Sequence, residues 1–322
     1  MKKSLIALAI AAAAPAAFAA TSNVEVYGAA RLSIDSVSGG KGYSVNDQTS
    51  RVGIKGSEDL GGGLTALWQW ESQMNGMDAT TVGTTQRNTF VGVKGAFGTV
   101  LAGVHDTPYK LGGSADVFGD TSADSQKATT GIIGRNGMDT RSNNAVAYIS
   151  PDYAGFHVGV ATVADEAGST GSANAATSIV LVYANGPLKA TYGQEEYKNG
   201  RKGDKFNVSY KIGDIGLGAT YEKSNDSLNA AKDKAYLVSA SYGMGPITLA
   251  AQYGNFNDND DANNNAGTAQ TGVDIKRSTV GAIYSLSKRT NAAVAYNEDK
   301  NSNGSSADTS TKTWTVQLNH SF

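Results

Sequence analysis

The segment Ile215-Gly216-Leu217-Gly218-Ala219-Thr220-Tyr221-Glu222 decides the fold. One parity reads Ile, Leu, Ala, Tyr and the other Gly, Gly, Thr, Glu. Strict alternation is the period of a β-strand with one apolar and one wet face. The design returns at Ile247, Leu249, Ala251 and Tyr253, set against Thr248, Ala250, Gln252 and Gly254. A third apolar row is Trp314, Val316, Leu318, His320 and Phe322, and Val24–Asp35 alternates in the same way. A soluble sandwich shares this local pattern, but a soluble barrel of this size fills its interior with large apolar side chains. Here the second face is small or polar, so it encloses water. The apolar rows, with aromatics toward their ends, fit lipid bounded by interfacial girdles.

Spacing extends the reading to the whole chain. Strand-like segments fall near 24–35, 50–59, 63–72, 86–95, 98–105, 143–150, 156–163, 177–184, 188–197, 204–212, 215–224, 233–242, 247–256, 274–285, 290–298 and 311–322, sixteen in all. Short connections such as Leu60-Gly61-Gly62, Ala96-Phe97 and Gly213-Asp214 alternate with longer polar ones at 36–49, 73–85, 106–142, 164–176, 225–232, 257–273 and 299–310. Only 198–203 is brief on the long side. Short turns at one end and long loops at the other mark an outer-membrane barrel. Closing the sheet pairs every backbone polar group that lipid would leave unsatisfied. The expected fold is therefore all-β: a 16-stranded antiparallel transmembrane β-barrel with a long loop folded into the pore.

That loop, 106–142, is the longest run without a strand pattern. It carries Asp116, Asp120, Asp124, Arg135, Asp139 and Arg141. An insert of this length inside a compact domain is usually functional or disordered; read as functional, it is expected to narrow a water-filled channel.

Residues 1–19 read as a secretory signal peptide: Lys2 and Lys3, an apolar run from Leu5 to Ala14, then Ala17-Phe18-Ala19 as the cleavage pattern. Residues 20–322 then form a single barrel domain. Losing two lysines takes the formal charge from −2 to −4. The chain has no cysteine, so disulfides do not hold it. No mature segment is an 18-residue apolar run, which excludes a transmembrane helix. The absence of a strong basic balance argues against nucleic acid.

Enzyme signatures are missing. There is no G-x-S-x-G and no H-E-x-x-H, and the three histidines, His105, His157 and His320, sit on different strand segments. Gly61-Gly62-Gly63 is a turn, since no Gly-Lys-Ser/Thr follows. Asn257-Asp258-Asn259-Asp260-Asp261 has oxygens but not the spacing or closing Glu of an EF-hand. No cofactor and no metal site are expected.

Particular stretches carry a closer likeness. Ser50–Gly61 (SRVGIKGSEDLG), Arg87–Gly98 (RNTFVGVKGAFG), Arg141-Ser142-Asn143-Asn144 with Tyr148, Ser285–Thr290 (SLSKRT) and Asn319-His320-Ser321-Phe322 occur in this order. Together they resemble the Gram-negative general porins of the β-proteobacterial branch, over the whole mature chain. The resemblance implies a trimeric pore with the third external loop folded inside, and an arginine cluster on the wall facing loop carboxylates. It places Arg51, Arg87 and Arg141 on that wall, with Arg31 on the inward parity of the first strand, and Asp116, Asp120 and Asp124 opposite. His105 holds an inward position that is often arginine in relatives, which argues against a strong anion preference. The loop reads Ala115-Asp116-Val117-Phe118-Gly119-Asp120 and not Pro-Glu-Phe-Gly-Gly as in enterobacterial relatives. The terminal Phe322 is implied to be the signal read by the barrel-assembly machinery. One conflict stands: if Arg87 points inward, alternation sends Lys94 outward, unless a bulge shifts the parity or Lys94 lies beyond the lipid band.

The function these observations imply is passive diffusion of ions and small hydrophilic solutes through an outer-membrane homotrimer embedded in lipid and lipopolysaccharide. The rivals are an adhesin or receptor acting through external loops, and a barrel enzyme needing a nucleophile and base at the rim.

Overall fold

A computed structural model describes residues 22–40, 42–75, 83–126, 131–135, 137–164, 175–198, 200–226, 231–257, 273–303 and 306–322. The expected signal peptide at 1–19 and the Asp258–Asp261 part of the acidic segment lie outside them.

The described residues form eighteen strand segments in one sheet. They are β1 (Ser22–Val37), β2 (Ser44–Asp47), β3 (Arg51–Gly61), β4 (Leu64–Asn75), β5 (Gly83–Gln86), β6 (Thr89–Gly95), β7 (Gly98–Asp106), β8 (Arg141–Ile149) and β9 (Phe156–Val163). There follow β10 (Ala176–Asn185), β11 (Leu188–Tyr197), β12 (Lys202–Ile212), β13 (Ile215–Asp226), β14 (Ala231–Met244), β15 (Ile247–Asn257), β16 (Val273–Ser285), β17 (Thr290–Asn303) and β18 (Ser306–Ser321). Two pairs, β2 with β3 and β5 with β6, are each one barrel strand interrupted, so the ring has sixteen strands. Every neighbour is antiparallel, and the ring closes where β1 pairs β18 on one edge (Ala29↔Ser321 to Val37↔Thr313) and β3 on the other (Ser22↔Glu58 to Ala29↔Arg51). A closed ring leaves no edge unpaired in lipid.

The strand-like segments match these elements closely. Several expected loops are shorter than the sequence pattern implied: strands also enter 73–85 (Asn75↔Gly83) and 225–232 (Asp226↔Ala231). Residues 36–49 contain β2, which continues the hairpin with β1 (Leu32↔Asp47 to Asp35↔Ser44). The 299–310 connection is taken up by β17 and β18, which pair as far as Asn303↔Ser306. The 299–310 stretch is polar on both faces because its hairpin rises above the lipid into water, so alternation vanishes while the ladder continues; in β2 alternation persists, with Val45 outward opposite Ile34.

The Arg87/Lys94 conflict resolves as a bulge. Ser72 pairs Gln86 and Gln69 pairs Phe90. Three steps on β4 therefore oppose four on its partner, the extra residue falling at Arg87-Asn88. The added residue flips the parity, so Lys94, opposite Thr65, returns to the lumen face.

The apolar core is not a centre of the barrel but the seam between the long loop and the wall. Tyr109 and Met138 pack with Ala145, Val163, Ala176 and Tyr197, and Ile132 and Ile133 with Leu237, Phe256 and Ile275. Phe118 packs with Ala250 and Ala295. The wall makes room with inward glycines. A Cβ at Gly281 would come within 2.9 Å of the Phe118 ring, at Gly254 within 3.0 Å of Ile132, at Gly218 within 3.0 Å of Ala115 and at Gly193 within 3.3 Å of Tyr109. Each glycine is a socket for one loop side chain.

Candidate functional site: the narrowed lumen

The loop leaves β7 through a short helix, α1 (Pro108–Leu111), capped by the Thr107 hydroxyl on the Lys110 amide. Pro108 suits the first helical turn, where its missing N–H is no loss. The loop then follows the inner wall from β9 round to β1. Polar wall side chains satisfy its backbone donors, as a chain without its own ladder requires. The Tyr109 N–H donates to Ser178 Oγ (2.9 Å), Ala115 N–H to Thr220 Oγ1 (2.7 Å), Val117 N–H to Gln252 Oε1 (3.0 Å) and Gly134 N–H to Glu222 Oε1 (2.9 Å).

Charge fastens both ends. Near the loop's return, Lys205 Nζ lies 2.6 Å from Asp139 Oδ1, both side chains almost fully buried, and 4.5 Å from the Tyr109 ring centre. The Tyr109 hydroxyl donates to Glu222 Oε2 at 2.9 Å. Burial and the Glu222 carboxylate raise its pKa well above the ordinary phenol value, so it stays a donor. Thr107 Oγ1 donates to Glu195 Oε2 at 2.7 Å. A buried pair of this kind is weak evidence for stability but costs about 3–5 kcal/mol to break from one side. On the far side Ser122 Oγ donates to Asp35 Oδ2 (2.6 Å). Arg277 makes a two-pronged pair with Asp299 (2.6 and 2.8 Å) and donates to the Asp124 carbonyl (2.7 Å).

Across the remaining lumen stands the arginine wall. A cavity of about 490 Å³ is lined by Tyr27, Arg31, Arg51, Glu71, Arg87, Asn88 and Asp106, among others. Of the three loop acids, one reaches it. Asp120 Oδ2 lies 2.7 Å from Arg31 and 3.6 Å from Arg51, and Thr49 Oγ1 donates to its other oxygen at 3.0 Å. Asp120 adopts φ 57°, a left-handed conformation that Asp tolerates better than most residues. That turn projects its carboxylate from the loop.

Asp116 and Asp124 do not face the arginines. Asp116 accepts the Phe118 and Ser125 amides (2.8 Å each) and Asp124 those of Asp120 (2.9 Å) and Gln126 (2.6 Å). Short Asp side chains seize backbone donors of their own loop, and here both are spent on shaping it. Desolvation and the neighbouring Asp124 push the Asp116 carboxyl up to about 7.

The other two arginines find acids on their own wall. Arg87 pairs with Glu71, which also accepts the Tyr27 hydroxyl at 3.0 Å. Tyr27 lies flat over Gly53, where a Cβ would come within 2.5 Å of its ring. Arg141 Nη2 is 3.0 Å from Asp106 Oδ1, and its Nε donates to Asn88 Oδ1 at 2.8 Å. Asn88, inside the bulge, also donates to Asp106 at 3.1 Å. His105 stands outside this group: its ring packs edge-on against Phe90 at 5.2 Å, and Nδ1 lies 2.7 Å from the Asp106 carbonyl oxygen. At the seam, Phe322 and Gly28 exchange backbone hydrogen bonds of 3.1 Å.

Sequence reasoning missed Glu71, Asp106, Asn88, Lys205 and Glu222. Parity alone put Glu222 on the wet face, but only register shows which arginine meets which acid. Among the described residues no cluster of His, Asp and Glu fit for a metal occurs.

A closed sixteen-strand barrel with a charged, loop-narrowed, water-lined lumen is a channel. The sequence profile of the Gram-negative porins matches residues 6–304, and the chain belongs to that family. It is an outer-membrane channel. Major outer membrane protein P.IB of Neisseria gonorrhoeae is 31% identical over 369 residues, covering 100% of both chains. The anion-selective porin of Comamonas acidovorans superposes with TM-score 0.75 at 23% identity, over 94% of this chain and 100% of that one. The trimer form of OmpT from Vibrio cholerae gives 0.70 at 18% identity, over 94% and 99%.

Proposed function

We propose that the pore is a passive route for small hydrophilic solutes and ions with a modest anion preference, set where residue 120 of the long loop meets the arginine wall. The observation that carries this is a charge imbalance. Arg31, Arg51, Arg87 and Arg141 meet Glu71, Asp106 and Asp120, the last shared by two arginines. Counted over these ion pairs one net positive charge is left at the narrowing, and Asp47, whose carboxylate also acts on Arg31, offsets part of it. At physiological salt the Debye length is about 8 Å, so this charge is felt across the lumen. A relative of the same fold is described as anion-selective. Covalent chemistry has no part in this reading. A planar-bilayer recording tests it: ohmic steps are expected, with a zero-current potential of anion sign in a potassium chloride gradient, larger at low salt. A cation-sign potential at 0.1 M would overturn it.

The same reading makes the protein a homotrimer. The extracellular aromatic row (Tyr192, Phe206, Tyr221, Tyr236, Tyr253, Tyr296, Trp314) belongs to β11–β15, β17 and β18. The outward face of β1 and β3 is instead Val24, Val26, Gly28 and Ala30 with Val52, Ile54 and Gly56. The aromatics on this face, Phe322 against Gly28 and Trp68 against Gly56, lie over glycines, and such a flat face suits contact with another copy better than a lipid headgroup region. Glutaraldehyde cross-linking of the folded barrel should give trimers; exclusive monomers would refute it. Lipopolysaccharide and the barrel-assembly machinery complete the partners.

A further inference from the structure

Above the extracellular aromatic row lies an arrangement that neither permeation nor folding explains. Tyr221 and Tyr236 are direct cross-strand partners, and the next outward pair toward the cell exterior is Lys223 opposite Lys234. Two strands further round, Lys276 stands opposite Lys300. All four are exposed. Directly opposed side chains start about 4.5–5.5 Å apart at Cβ, and like charges there destabilise the sheet. Two such pairs on one face are a local electrostatic cost.

Nearby acids do not remove it. Asp274 reaches Lys276 at 3.4 Å, but its carboxylate also accepts from Asn255. Asp204 is held by the Tyr192 hydroxyl at 2.6 Å, and Glu298 accepts from Ser310 at 3.0 Å. Lys223, Lys234 and Lys300 have no ion pair among the described residues, Lys223 lying instead 5.6 Å from the Tyr221 ring centre. Lys232, opposite Asn225, and Lys312, opposite Glu298, extend the row.

We propose that these opposed lysines form a lipid-phosphate site on the outer surface of β13–β17, occupied by the phosphorylated headgroup of an outer-leaflet glycolipid. The inference rests on the outer-membrane reading and names the partner's chemistry. An aromatic row marks the depth where acyl chains give way to headgroups. Lysines one or two outward positions beyond it have stems long enough to lie along the apolar surface while the ammonium reaches the headgroup layer. A phosphate dianion between two ammonium groups turns each like-charge pair into a stabilising triad. The site also falls on the sector bearing the aromatic row, away from the flat face of β1 and β3.

The test uses the full mature barrel, folded in detergent, with native mass spectrometry reading bound bisphosphorylated lipid A. Basic groups at a charged headgroup layer contribute about fivefold in affinity each, so K223Q/K234Q and K276Q/K300Q should each bind about 25-fold more weakly. K223R/K234R should retain binding, and dephosphorylated lipid A should bind poorly to the wild type. K94Q/K211Q removes the same net charge from the lumen side and should leave binding unchanged. Equal binding by the glutamine variants overturns the proposal. So does equal loss in K94Q/K211Q, which would make the effect one of net charge, or displacement of the lipid by millimolar inorganic phosphate, which would make this a free-anion site. Single-channel conductance of the wild type and the K223Q/K234Q and K276Q/K300Q variants, expected unchanged because these lysines lie outside the lumen, separates failure of this inference from failure of the porin reading.

Discussion

Glu71→Gln is the substitution with the largest expected effect on selectivity. Glu71 is only 7% exposed and neutralises Arg87 on its own wall, so its removal makes the charge around the narrowing one unit more positive. The amide keeps an oxygen for the Tyr27 hydroxyl, which preserves the ring on Gly53 and limits the change to charge. A unit charge about 4 Å from a passing ion is worth about 1 kcal/mol in bulk water and about 4 kcal/mol near protein. The lower figure alone changes ion occupancy about fivefold. The chloride-to-potassium permeability ratio should therefore rise at least about fivefold at 0.01 M, where the Debye length is about 30 Å, and far less at 1 M, where it is about 3 Å. The assay is the zero-current potential across a tenfold salt gradient, with conductance and heat-modifiability confirming a folded pore. An unchanged potential at low salt, in a folded variant, would refute the reasoning that the wall acids set the charge seen by ions.

Asp120→Asn should also shift the potential toward anions, because Arg31 and Arg51 lose their shared partner, whereas Asp116→Asn should leave it near wild type; the reverse order in bilayer recordings would contradict the placement of these acids. Asp116 carries a pH signature. Its folded-state carboxyl holds a proton up to about pH 7, well above the ordinary value, so the folded state binds more protons than the unfolded one between about pH 4 and 7. Stability should fall as pH rises through that window and level off above it, and Asp116→Asn should flatten the profile in guanidinium unfolding of the detergent-folded barrel. Deleting Phe322 should reduce folded barrel in the outer membrane while synthesis continues, since the residue closes the β1–β18 seam against Gly28; undiminished heat-modifiable protein would count against it.

The sequence by itself determined the architecture, because the physics of a lipid-facing strand is local. Ile215, Leu217 and Ala219 face outward whatever their neighbours do, and period-two alternation with short turns counts the strands. The inward glycines and hydroxyls were equally legible as a wet face. The long loop announced itself by its lack of period, Arg31 by its parity, and Arg51, Arg87 and Arg141 by the likeness of the stretches that carry them. Where alternation failed, beyond residue 299, the strands had left the lipid and no longer needed an apolar side.

Only the tertiary structure decided which charges meet. The bulge at Arg87-Asn88 is one added residue, invisible to composition, yet it turns Lys94 to the lumen and sets Asn88 between Arg141 and Asp106. Asp116, Asp120 and Asp124 are chemically identical in the sequence. They part company because two find backbone amides of their own loop and the third, at φ 57°, finds Arg31 and Arg51. The sockets at Gly254 and Gly281 likewise gain meaning only once Ile132 and Phe118 fill them. Alternation specifies a face, and a face is a property of one strand. A charge pair across a lumen is a property of register, loop path and distance, and its energy depends on that distance and on the surrounding dielectric.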